Sequence, residues 1–132
     1  MIGLDTNVLI RIFVEDNIGQ CKAARALVAG CRPGELFVSA LVLAELVRVL
    51  RRRLAKSVDE VVDIVDRILE APEFTIGDQA LLEDALGIYR TGRSEFSDCL
   101  IAVTALRAGA DRLLTFDREA ALHVPGTRHL DH

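Results

Sequence analysis

The chain has 132 residues, a length that fits one domain with its own core and needs no disulfide or metal staple. Hydrophobic residues make up 51% and charged residues 27%, which excludes a disordered chain, while 5% aromatics and no Trp imply an aliphatic core and disfavour base stacking as a way of holding nucleic acid. The net charge of −4 disfavours wrapping a polyanion by bulk attraction, but it leaves room for an enzyme that holds phosphate through cations bound to carboxylates, where the ion reverses the local sign.

In chain order, Met1 to Leu4 is a short apolar run that reads as a buried strand with Asp5 at its C-terminal end. Thr6 or Asp5 then caps a helix carrying Val8, Leu9, Ile12 and Phe13 at helical spacing. Residues 20–29 form a second helix with Ala23, Ala24, Leu27 and Val28 inward, and Gly30, Pro33 and Gly34 break the chain after it. Leu36, Phe37 and Val38 form a second strand, and Ser39 caps a long helix over about residues 40–55. Ser57 and Glu60 make a capping box for a helix that runs to about Glu70, before Pro72. Phe74 to Ile76 is a brief strand, and residues 78–89 form a helix closed near Gly92. Ser94 or Ser97 opens a helix through Ala108, ended by Gly109. Leu113 to Thr115 is a strand that stops before Phe116 and Asp117, and residues 123–132 have room for one more short strand.

There is no repeat, low-complexity stretch or linker, so residues 1–132 are expected to form one domain. Strands alternating with helices predict an α/β fold with a mainly parallel sheet. Ligands of such sheets sit beyond the carboxyl ends of the strands, where Asp5 and Asp117 fall. Cys21, Cys31 and Cys99 are odd in number and lack C-x-x-C spacing, which argues against a disulfide framework or zinc site and for a reducing, cytoplasmic setting. The start lacks the basic and apolar regions of a signal peptide, and no apolar run approaches the roughly 20 residues that span a bilayer.

Four acids stand out: Asp5, Glu45, Asp98 and Asp117. Each has a plain structural reading. Asp5 is a helix N-cap, Glu45 belongs to a solvated stripe with Arg48 and Arg52, Asp98 complements a helix dipole, and Asp117 is a turn residue. What weighs against four separate accidents is placement, two at strand ends and two on helices expected at the same sheet edge. Magnesium and manganese prefer hard oxygen ligands, and magnesium keeps several waters, so one or two carboxylates per ion suffice. Such an ion can activate water for attack on phosphorus and neutralise the departing oxygen. Close carboxylates without an ion repel, so at least one pKa is expected to rise. Thr6, Asn7, Ser97 and Thr115 are neutral neighbours suited to orienting the carboxylates.

Asp5-Thr6-Asn7, Glu45 in mid-helix after Val38-Ser39, Ser97-Asp98 followed by Ile101-Ala102, and Thr115-Phe116-Asp117 together resemble the PIN-domain nucleases, and the length and layout resemble their VapC toxin branch. The resemblance spans nearly the whole chain and implies a PIN-like α/β/α sandwich. It also implies a Mg²⁺- or Mn²⁺-dependent endoribonuclease acting on structured RNA such as tRNA or ribosomal RNA. Asp5, Glu45, Asp98 and Asp117 would be its acidic site, with Asp5 and Asp98 the most direct metal ligands and Thr6, Asn7 and Thr115 in support. A homodimer and a VapB-type antitoxin are further implications.

Arg48, Arg51 and Arg52, with Arg53, form a local basic cluster open to two readings, RNA contact or a solvated helix end. His123, His129 and His132 share no ligand spacing, so a metal role is not expected of them. A haloacid-dehalogenase-like phosphatase would want Asp where Asn7 stands. A rival of another class is a catalytically silent PIN-like module that works by binding within an antitoxin–DNA complex.

Overall fold

The computed structural model describes residues 1–14 and 17–132, which cluster into two compact units, Met1–Gln79 and Ala80–His132. The first unit holds β1 (Ile2–Gly3), α1 (Thr6–Phe13), α2 (Ile18–Ala29), β2 (Leu36–Val38), α3 (Ala40–Arg52), α4 (Val58–Glu70) and β3 (Phe74–Ile76). The three strands form one parallel sheet in the order β1-β2-β3, with Ile2 opposite Leu36 and Leu36 opposite Phe74. Parallel neighbours need helical crossovers, and α1 with α2, then α3 with α4, supply them.

Leu9 from α1, Leu36 and Val38 from β2, Leu43, Leu46 and Leu50 from α3, and Val61, Val65 and Ile68 from α4 are fully buried. Burying each such side chain contributes on the order of 1.5–3 kcal/mol. The spacing in α3 is i, i+3, i+7, which turns one stripe inward and leaves Glu45 on the exposed side. Ser39 caps α3, its hydroxyl accepting from the Val42 amide at 3.1 Å. The capping box of α4 forms as expected. The Ser57 amide donates to Glu60 Oε1 at 3.0 Å, and the Glu60 amide to Ser57 Oγ at 3.1 Å.

The second unit holds nearly all of α5 (Gln79–Tyr89), then α6 (Phe96–Arg107), β4 (Leu113–Thr115), α7 (Arg118–His123) and β5 (Thr127–His129). β4 and β5 pair in parallel, Leu113 opposite Thr127, with α7 as the crossover. Leu82, Ala85, Cys99 and Ala102 are fully buried, and the Tyr89 and Phe96 rings meet edge to face at 5.6 Å. Gly109 follows α6 with φ +101° and returns its amide to the Leu106 carbonyl at 3.1 Å. At Gly126 φ is +77°, and a Cβ would stand 2.6 Å from Leu106 Cδ1, so this turn into β5 requires glycine.

The α/β class and the parallel pairing match the expectation, and several boundaries differ. β1 lies at the edge of its sheet, and Ile2 is 43% exposed rather than buried. In α1 the inward residues are Thr6, Leu9 and Ile10, while Val8, Ile12 and Phe13 are only partly covered. Its apolar residues satisfy two helical phases, and periodicity alone does not choose between them. In α2 Ala23 is exposed, and Cys21 is buried beside Ala24. α3 stops at Arg52 rather than near Ala55, because Ala55 takes φ 52° and Lys56 sends its amide back to the Leu50 carbonyl at 2.9 Å. Neither Ser94 nor Ser97 caps α6. Glu95 holds the cap position without a side-chain bond, and Ser94 Oγ lies 3.1 Å from Cys99 Sγ. The expected strand in the tail is β5, but α7 before it was not foreseen. All three cysteines are free, and among the described residues no helix is long and apolar enough to cross a membrane.

Candidate active site

Asp5 is exposed at the end of β1 and caps α1, its Oδ1 accepting from the Thr6 amide at 2.7 Å. The phase of α1 then turns Thr6 inward. There its hydroxyl, on a residue only 4% exposed, donates to Glu45 Oε2 at 2.8 Å. This bond links the start of α1 to the middle of α3 and gives one Glu45 oxygen a fixed donor. Asn7 is exposed. Glu45 also belongs to an open groove along α3 with Arg48, Val49, Arg52 and Arg53.

In the second unit, Asp98 lies in the first turn of α6 and is half-buried. Its carboxyl is held above the ordinary carboxylate value by burial first, then by the negative charges of Asp117 and Glu95. A rise in one acid's pKa was expected from crowding, and here desolvation is the larger cause. Asp117 follows β4 and caps α7, with Oδ1 accepting from the Glu119 amide at 2.9 Å and the Ala120 amide at 3.1 Å. Thr115 Oγ1 accepts from the Asp117 amide at 3.0 Å and fixes the turn that presents it.

The structure therefore brings Thr6 to Glu45 in one unit and Asp98 to Asp117 in the other. Sequence reading missed Glu95 as a second charge acting on Asp98, after Asp117. The signal was there in the i, i+3 spacing of Glu95 and Asp98 at a helix start. It also treated the C-terminal histidines as scattered. His129 and His132 lie with ring centroids 6.2 Å apart, and Phe116 meets His132 edge to face at 5.4 Å.

Within neither unit, among the described residues, are three His, Cys, Asp or Glu side chains placed to enclose an ion. The donor set is hard carboxylate oxygen, and the mutual repulsion of Asp98 and Asp117 is what a cation relieves. This fits a water-rich ion of the magnesium class, which needs only one or two carboxylates, and does not fit a caged structural metal.

The sequence model of the PIN domain family matches residues 2–124. The chain belongs to the PIN domain family. The match runs through Asp5, Glu45, Asp98 and Asp117, so all four acids fall inside the PIN region. No curated protein matches this PIN chain significantly. Among solved structures it is similar to VapC20 of Mycobacterium tuberculosis, a sarcin-ricin-loop-cleaving toxin, at 18% identity and a TM-score of 0.47, with 97% of this chain and 99% of that chain covered.

Proposed function

We propose that this PIN chain is a metal-dependent endoribonuclease, with residues 1–132 acting as one nuclease domain and Asp5, Glu45, Asp98 and Asp117 as its acidic site. The observation that carries the reading is the family match over residues 2–124, which includes all four acids, and the crowding of Asp98 by the negative charge of Asp117 supports it. A divalent ion of the Mg²⁺ or Mn²⁺ class would be held by Asp5 and Asp98, and it supplies water activation and charge neutralisation at the scissile phosphodiester. The chain's own groups do the positioning. Thr6 donates to Glu45 Oε2, which leaves Oε1 outside that bond. Thr115 fixes the turn before Asp117, whose Oδ1 is taken by two amides. Asp117 therefore acts through its charge on Asp98 more than through a free pair of oxygens.

The motifs of the VapC branch support a wider form of this reading. The protein would be the toxin of a toxin–antitoxin pair, working as a homodimer on tRNA or ribosomal RNA in the cytoplasm and restrained by a VapB-type antitoxin. The core reading is tested with partner-free protein and total RNA, with and without Mg²⁺ or Mn²⁺, beside the variants Asp5→Asn and Asp98→Asn. Metal-dependent cleavage lost in both variants is expected. Equal background in all lanes would favour the silent binding module instead.

A further inference from the structure

Four of the chain's arginines fall within residues 48–53, and the structure divides them. Arg48, Arg52 and Arg53 line the groove that contains Glu45, with Val49 between them. Arg51 is used elsewhere. Its Nη1 donates to the Lys56 carbonyl at 2.8 Å and closes the chain turn after α3. Helical geometry explains the division. At about 100° per residue, positions 45, 48, 49 and 52 share one side of α3, and position 51 points away from it.

Arg48, Arg52 and Arg53 line the groove against one carboxylate, and although Arg52 also has a partner within the protein, Arg48 and Arg53 alone outnumber Glu45, so the groove favours an anion even though the whole chain is acidic. Among the described residues, no hydrogen bond or ion pair engages the side chains of Arg48 and Arg53. Guanidinium groups are planar forks that match phosphate oxygens in pairs. Arg48 and Arg52 are one helical turn apart, about 6 Å along the axis, which suits successive anionic groups on one strand. Glu45 lies in the same groove, so an anionic chain held by the arginines is led to a carboxylate of the acidic site.

We propose that this groove along α3 holds the phosphate backbone of the RNA through Arg48, Arg52 and Arg53, and that Arg51 is structural. The proposal rests on the nuclease reading and deepens it by separating the substrate contacts from the metal-holding acids. RNA is favoured over an acidic protein segment because the arginines share the groove with Glu45, a carboxylate of the proposed nuclease site, and guanidinium forks match phosphate oxygens.

The test is RNA binding by the intact protein in EDTA, so that binding is read without cleavage. A fluorescently labelled RNA hairpin is titrated at several salt concentrations against wild type, the double variant Arg48→Gln/Arg53→Gln, and Arg51→Gln. Each lost phosphate contact lowers the steepness of log Kd against log salt by about 1. The double variant should lose about 2 in slope with its melting temperature unchanged. Arg51→Gln should keep the slope and melt at a lower temperature. An unchanged slope in the double variant overturns the proposal, as does an equal loss in Arg51→Gln. A polyglutamate peptide that binds wild type while RNA binding ignores Arg48 and Arg53 would assign the groove to an acidic protein segment and also overturn it. If wild type cleaves RNA with Mn²⁺ but the slopes are equal, only the groove proposal fails. If wild type never cleaves, the nuclease reading fails whatever the slopes show.

Discussion

Asp98 is the residue where stability and activity pull in opposite directions. Its carboxyl titrates above its ordinary value in the fold, so the folded state disfavours the charged form relative to the unfolded chain. That penalty is absent below the ordinary carboxylate pKa and complete once pH exceeds the raised folded value. At neutral pH, metal-free Asp98→Asn should therefore melt slightly higher than wild type, while RNA cleavage falls by roughly a hundredfold or more, as when other transition-state charge stabilisers are removed. Melting curves from about pH 3 to 8 check the first half, and the advantage of the variant should vanish at the acid end, below the ordinary carboxylate pKa. Asp117→Asn should bring the Asp98 carboxyl only part of the way down, because burial is the larger cause. Carboxyl NMR titration reads this directly, and an unmoved Asp98 would contradict the pairing. Thr6 makes a parallel case. Thr6→Val keeps the shape but leaves Glu45 without its 2.8 Å donor, so cleavage should drop by roughly tenfold, a loss of about 1.4 kcal/mol. Thr6→Ser should retain most activity, and equal losses in both variants would mean that packing matters rather than the hydroxyl.

Among the elements, α4 gives the cleanest stability prediction. Ser57→Ala removes one half of the capping box and should destabilise the protein by about 1 kcal/mol in urea unfolding. Glu60 titrates below the ordinary carboxylate value, because it accepts from the Ser57 amide, engages the Ser57 hydroxyl and faces Lys56. Its contribution is thus present above the ordinary pKa and is lost as pH falls through the lowered one. The Ser57→Ala effect should persist at pH 5 and shrink below pH 4.

Such caps were legible in the sequence because Ser, x, x and Glu are local signals with local causes. Both crossovers of the three-stranded sheet were legible for the same reason. The phase of α1 was not, since Val8, Leu9, Ile10, Ile12 and Phe13 allow two inward faces, and tertiary packing chose the one that buries Thr6. That choice determined how Glu45 is held, so this part of the site lay beyond sequence reading. α7 was missed because its six residues give too little periodicity to read. The acids themselves were found by motif, whereas the division of labour among the arginines needed coordinates.

For the molecule as a whole, the relevant measurement is linkage to the cation. If Asp5 and Asp98 hold the ion, Mn²⁺ at 100 times its Kd should stabilise wild type by about 2.7 kcal/mol. Asp5→Asn/Asp98→Asn should show no such rise in Tm. A shift of equal size in the double variant would place the ion elsewhere.

The parallel pairing of Ile2 with Leu36, and of Leu36 with Phe74, also governs how the chain folds. A strand in this sheet gains its backbone partners only after an entire crossover has formed, and the strands are two or three residues long. Such distant contacts slow folding, because loop entropy is lost before pairing compensates for it. The helices should therefore acquire amide protection early and the strands late in pulse-labelled hydrogen exchange. During synthesis, β1 and Asp5 beside it leave the ribosome before β2, yet β1 could not pair until β2 had followed.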